Sequence, residues 1–307
     1  MSRKTHRIGI SAIFTLFTST IAFGFQWPVE EKILTATFGE SRWDHFHTGI
    51  DIGGGDQVVR PVEAGEVVFL FDGAGRDGSP PSGLGSFVVI EHERKIRTLY
   101  AHLVPGSLRT IDARVTADTE LGLIGDSGAS LGKHLHLEVI DSELGTYVNP
   151  LLVLPNLADS ITPEIRSAYL IPENSRIDET PIELIRGSTI PTGNYRLLLE
   201  LFDRSEHVAY FCPMAPYRIS GFLNGSEVFT IELSEIEEES GSLVLGTPLT
   251  IAANSREKPQ FADLYHAEWI VNAGVMPFRV GEIQLEIVAE DIVGNETTFR
   301  VAVSVEQ

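Results

Sequence analysis

The chain has 307 residues, 43% of them hydrophobic, enough for two buried cores, and a formal net charge of −20. That charge disfavours nucleic acid and anionic lipid as partners, and a single cysteine, Cys212, rules out an intrachain disulfide.

Arg3, Lys4 and Arg7 open the chain, an apolar run follows from Ile8 to Phe23, and Ala22-Phe23-Gly24 places small residues where a signal peptidase reads. The run is shorter than the ~20 residues a membrane span needs. Residues 1–24 are therefore expected to be a cleaved secretory signal, and no later segment is apolar enough to cross a bilayer. The expected location is outside the cytoplasm, in the periplasm or cell envelope.

From 25 to 152 the chain reads as short strands between glycine-rich turns. Val67–Phe71, Phe87–Glu91, Thr98–His102, Leu121–Ile124 and Leu135–Ile140 carry the β pattern, and Gly53-Gly54-Gly55 and Gly125-Asp126-Ser127-Gly128 mark turns. Asp72 to Gly85 lacks periodicity and is expected to be a long loop beside the cleft. A linker is expected at 153–163, with Pro155 and Pro163 as breakers. Beyond it, over 164–307, Tyr195–Phe202, Tyr217–Leu223, Val228–Leu233, Ile283–Ala289 and Phe299–Val305 alternate apolar with polar residues. Asn224-Gly225 and Gly294-Asn295 signal hairpins. This spacing, without helices, predicts an immunoglobulin-like β-sandwich. Glu232 to Glu239 reads as a solvated acidic loop, and Cys212, between Phe211 and Pro213, as a core residue. The fold class is all-β.

Two polar motifs carry chemistry: His47-Thr-Gly-Ile-Asp51 and His134-Leu-His136. Two histidines and an aspartate make a three-ligand set for catalytic zinc with a position left for water. The other histidine of the His-x-His pair is then free for proton work, which predicts a hydrolase. In a strand, residues two apart share a face, so His134 and His136 project together while Leu135 and Leu137 pack behind. Asp51 is a lone carboxylate between Ile50 and Ile52, costly to bury unless it pairs or binds metal. Tyr100-Ala-His102 ends another strand on a histidine. Arg42 is open to two readings, an oxyanion contact or a structural salt bridge. His45, His92, His207 and His266 read as surface or structural histidines.

In their order these motifs resemble the lysostaphin-type, or LytM-like, zinc endopeptidases that cleave peptidoglycan peptides. The resemblance runs from Ala36 to Pro150 through Phe38-Gly39, His47-x-Gly49-x-Asp51, Ala64-Gly65, Glu91-His92, Tyr100-Ala101-His102-Leu103, Gly125-x-x-Gly128, Gly132-x-His134-Leu135-His136 and Val148-Asn149-Pro150. It implies an antiparallel β-sheet peptidase domain with zinc as cofactor. It also implies that His47, Asp51 and His136 are metal ligands and that His102 and His134 flank the water. Two turn glycines frequent in the family are replaced, by Ala113 and Asp118. Peptidoglycan peptides are the implied substrate, with an envelope protein as a further partner through the C-terminal domain. The alternative is a catalytically silent regulator or wall-binding protein on the same fold; such proteins lose ligands, and here all five polar positions are present.

Overall fold

A computed structural model of the chain describes residues 24–73, 83–108, 113–175, 180–208, 212–249 and 256–307. The expected signal, apart from Gly24, and most of the expected loop from Asp72 to Gly85 lie outside these residues. Among the described residues no helix is long and apolar enough to cross a membrane.

The structure is nearly all β. Its N-terminal half holds β1 (Ile33–Ala36), β2 (Ile50–Gly53), β3 (Val58–Val59), β4 (Gly65–Phe71), β5 (Ser86–Glu91), β6 (Ile96–Leu103), β7 (Arg114–Val115), β8 (Gly122–Leu123), β9 (Leu135–Asp141) and β10 (Thr146–Val148). An antiparallel sheet runs β10-β9-β6-β5-β4-β7, with β2 also on β9 and β1 on β2. Leu135 and Leu137 of β9, Ile50 and Ile52 of β2, and Tyr100 of β6 are fully buried in one core. Period-two alternation then sends His136 and Glu138 of β9, and Asp51 of β2, to the opposite face. Each fully buried Leu or Ile contributes roughly 1.5–3 kcal/mol, so register is held by the apolar face and fixes the polar one.

The C-terminal half contributes β11 (Glu164–Pro172), β12 (Ile182–Glu183), β13 (Thr189–Pro191), β14 (Gly193–Phe202), β15 (Arg218–Leu223), β16 (Ser226–Glu232), β17 (Glu235–Glu239), β18 (Ser242–Leu245), α1 (Phe261–Leu264), β19 (Tyr265–Ala267), β20 (Ile270–Phe278), β21 (Gly281–Glu290) and β22 (Glu296–Glu306). Two five-stranded sheets, β12-β11-β14-β20-β19 and β13-β22-β21-β15-β16, share one apolar core that includes Leu197, Leu199, Ile219, Ile287 and Val303. They form a two-layer sandwich.

Glu232 to Glu239 is not a solvated loop. β16 ends at Glu232, and β17 pairs antiparallel with β10 through Glu235↔Val148, Ile236↔Tyr147 and Glu237↔Thr146. The N-terminal sheet is thereby extended by β17 and β18 to ten strands. Ile236 is fully buried, and Lys258 Nζ neutralises Glu237 at 2.6 Å and Glu239 at 2.9 Å. Tertiary pairing and one lysine override the weak strand propensity of glutamate. Phe46, adjacent to the first motif, and Phe38, further upstream, belong to the sandwich core, not to the N-terminal one. Cys212 is half-buried rather than core.

Candidate metal centre

The central strands place the site. Asp51 of β2 lies directly across from His136 of β9, and Ala101 of β6 faces His136 from the other side. Gly49 is required by this closeness: a Cβ there would stand 2.3 Å from the Leu137 carbonyl oxygen and 3.0 Å from the His136 ring. Gly49→Ala is expected to force β2 from β9, lowering stability by about 3 kcal/mol and separating Asp51 from His136; thermal unfolding and metal content check both effects.

β6 carries a bulge, in which Ala101 and His102 oppose Phe87 alone. His102 takes φ 60°, the left-handed region that side chains seldom adopt, and its N–H donates to Leu84 O at 2.9 Å. The bulge turns its ring towards the centre, 4.8 Å from the His134 ring and 5.9 Å from the His136 ring. His134 precedes β9 and donates its N–H to Gly125 O at 3.0 Å.

Each of the four imidazoles has one nitrogen against an acceptor. His47 Nδ1 meets Thr37 O at 2.7 Å, His102 Nδ1 meets Ser127 O at 2.8 Å, and His134 Nδ1 meets Gly132 O at 2.9 Å. His136 Nε2 meets Glu138 Oε1 at 3.2 Å. A carbonyl or carboxylate oxygen only accepts, so the proton of each neutral ring belongs on that nitrogen and the lone pair on the other. His47 Nε2 and His136 Nδ1 then face Asp51 Oδ1 at 3.1 and 2.9 Å and lie 3.1 Å from each other. His134 Nε2 stands 3.6 Å from the same oxygen. Arg42 Nη2 pairs with the other carboxylate oxygen, Asp51 Oδ2, at 2.5 Å. That is the salt-bridge reading of Arg42, and it leaves Oδ1 to the centre.

Electrostatics agree with a cation at this point. His47 is kept neutral by burial, which outweighs the pull of Asp51. Burial pushes the Asp51 carboxyl up, but His47 and His136 outweigh it and hold it well below the usual range. Burial draws the His136 imidazolium down, yet the hydrogen bonds it donates to Asp51 and Glu138 dominate and raise it to about 9. An imidazole between two carboxylates wants positive charge at its Nδ1, from a proton or from a metal. His47, Asp51 and His136 are the one group among the described residues whose donor atoms all lie close enough, within 4.8 Å, to hold a metal ion. Burial also lowers His102, against its hydrogen bond to Ser127, to about 4, so it is neutral at ordinary pH.

Sequence reasoning missed Glu138. Its Oε1 accepts from Thr48 Oγ1 at 2.5 Å and from His136 Nε2, orienting that ring as outer carboxylates orient metal-bound histidines. The signal was available, since His134, His136 and Glu138 share one face at period two. Among the described residues no other histidine belongs to this donor group. His92 bonds Ala64 O and Thr98 Oγ1, and His45 pairs with Asp44 on the surface.

Residues 45–150 match the family model described as Peptidase family M23, and a second model, which carries no functional description, matches residues 162–306. The chain is 36% identical over 124 residues to the DD-carboxypeptidase/endopeptidase Mpg of Neisseria meningitidis, covering 40% of this chain and 25% of that protein. It is 32% identical over 130 residues to an uncharacterized metalloprotease of Haemophilus influenzae, covering 41% of this chain and 25% of that protein. The chain thus spans about a quarter of the length of these curated relatives. Among solved structures, the catalytic domain of the prophage-encoded M23 protein EnpA from Enterococcus faecalis matches at 26% identity, with a TM-score of 0.33, over 39% of this chain and 88% of that one. The ordered motifs and the family model together make the domain within residues 45–150 a member of peptidase family M23, the LytM and lysostaphin type.

Proposed function

We propose that the chain is an exported zinc metallo-endopeptidase that hydrolyses peptide bonds in the crosslinks or bridges of peptidoglycan. One observation carries this reading: four imidazole lone pairs and one carboxylate oxygen converge, each imidazole fixed through its other nitrogen. A silent relative would have no use for all five.

His47 Nε2, Asp51 Oδ1 and His136 Nδ1 would hold the zinc. When bound, zinc supplies Lewis acidity, lowering the pKa of a water to about 7 and polarising the peptide carbonyl. His102, neutral and committed through Nδ1 to Ser127, offers Nε2 as proton acceptor. His134 stands at the open side, its side chain 16% exposed, with Nε2 as a second acceptor; once it has taken a proton from the water, the imidazolium would hydrogen-bond the developing oxyanion and pass that proton to the leaving amine. Glu138 and Arg42 hold His136 and Asp51 in orientation. We read the sandwich as immunoglobulin-like and as the surface through which an envelope protein partner would bind.

The test is mass spectrometry of muropeptides released by the purified chain without its leader. New peptide amino and carboxyl termini on intact glycan strands are expected, lost on chelation and restored by zinc. Release of glycan fragments alone, or of nothing, would exclude this activity.

A further inference from the structure

The segment from Thr37 to His47 connects β1 to β2 and carries a metal ligand. Within it, Gly39 N donates to His47 O at 2.8 Å, His47 N to Glu40 O at 2.9 Å, and Arg42 N to His45 O at 2.9 Å, with a bridge between Ser41 and Phe46. The His47 ring is itself anchored on Thr37 O. The ligand and its anchor therefore move as one unit, whereas Asp51 and His136 are fixed to the central sheet.

What holds that unit comes from the other half of the chain. Phe38 and Phe46, each 1% exposed, are members of the sandwich core. Phe46 packs edge-on against Phe261 at 5.6 Å and Tyr265 at 6.2 Å. The Tyr265 hydroxyl donates to Gly39 O at 2.7 Å. Gly39, at φ 79°, lies so close to Leu233 that a Cβ would come within 2.9 Å of that side chain. Leu233 is in turn tied to the N-terminal sheet, since its carbonyl accepts from Asn149 Nδ2 at 2.8 Å, next to the β10–β17 pairing.

We infer that the C-terminal sandwich is a positioning element of the metal centre, and that Tyr265, seated on Gly39, and Phe261, seated on Phe46, set where the Thr37–His47 unit presents the His47 nitrogen. This rests on the metallopeptidase reading above. Metal–ligand distances tolerate only about 0.2 Å, so a small drift of this unit changes the centre while β2 and β9 stay in place. Tyr265 touches neither metal nor substrate; it acts through Gly39 and His47.

The experiment uses the full chain without its leader and compares Tyr265→Phe, which removes only the hydroxyl, with Tyr195→Phe. Tyr195 makes the same kind of bond, to Pro191 O at 2.8 Å, inside the sandwich and away from the interface. Zinc affinity is measured by competition with a chromogenic chelator, and ligand geometry by the visible spectrum of the cobalt-substituted protein. Tyr265→Phe is expected to weaken zinc binding about five- to tenfold and to shift the cobalt bands, while Tyr195→Phe changes neither. Phe261→Leu, which loosens the ring contact on Phe46, is expected to act in the same direction. Equal zinc affinity and an unaltered cobalt spectrum in Tyr265→Phe, or equal losses in Tyr195→Phe, would overturn the inference. Failure of the unsubstituted chain to bind stoichiometric zinc would instead overturn the metallopeptidase reading itself, and the inference with it.

Discussion

Replacing His136 with alanine is expected to abolish both zinc retention and peptide hydrolysis, whereas His134→Ala should keep zinc and still lose activity by roughly 10²–10⁴-fold. The two residues are two apart on one face, yet their surroundings differ. His136 Nδ1 lies at 2.9 Å from Asp51 Oδ1 and 3.1 Å from His47 Nε2, inside the three-atom donor set. His134 Nε2 is 3.6 Å from the same carboxylate and opens to solvent. Removing His136 also deprives two buried carboxylates, Asp51 and Glu138, of the positive partner between them, which is strongly destabilising. A lower unfolding temperature should therefore accompany His136→Ala and not His134→Ala. Metal analysis, initial rates and thermal unfolding on the two variants separate these outcomes; equal zinc content in both would reject the division of roles.

The second large effect concerns Asp203, which is not one of the donor residues. It borders a cavity between the two halves, lined by Trp27, Leu34, Phe38, Met214, Leu233 and Val293 among others. Its side chain is buried and Oδ1 has no hydrogen-bond partner. Burial, reinforced by Asp291 and Asp159, raises its carboxyl to about 8. The folded protein therefore keeps a proton that the unfolded chain releases near pH 4. Its contribution to stability is fully present below that pH and is lost as pH rises towards about 8. Asp203→Asn, which cannot ionise, is expected to gain about 3 kcal/mol at pH 8 over the native residue, after allowance for relaxation, and to gain little at pH 4. Denaturant unfolding at the two pH values checks it; a gain independent of pH would exclude ionisation as the cause.

Much of the site's geometry follows from local rules that the sequence displays. His134 and His136 share a face because strands alternate, and Asp51 is held between two fully buried isoleucines that fix the register of β2 against β9. Gly49 could be read as a close approach only once its neighbour strand was known. The bulge that aims His102 has no local signature in Tyr100-Ala101-His102, because it arises from the mismatch between β5 and β6. The same holds for the backbone oxygens of Thr37, Ser127 and Gly132, which set three tautomers and belong to residue types that reveal nothing about it. In the second half the alternation of strands was plain, but the run from Glu235 to Glu239 was not. Its charge argues for solvent, and only the pairing with β10 and the presence of Lys258 make a strand of it. Nothing in the residues around Phe38 and Phe46 indicates that they are buried in the other half's core.

The seating of Tyr265 on Gly39 spans 226 residues of chain. Loops of that length close late, because the entropy of bringing their ends together precedes any contact that rewards it. A folding chain would thus have the strands of Asp51, His102 and His136 in hand while the His47 segment still waited for Phe261, Tyr265 and the hairpin of β17. Maturation of the metal centre becomes one of the last events of folding. The three donor atoms would stay unassembled until the far half had arrived, and strand β10 would remain an open edge, prone to pairing with a neighbouring chain, for as long as that arrival was delayed.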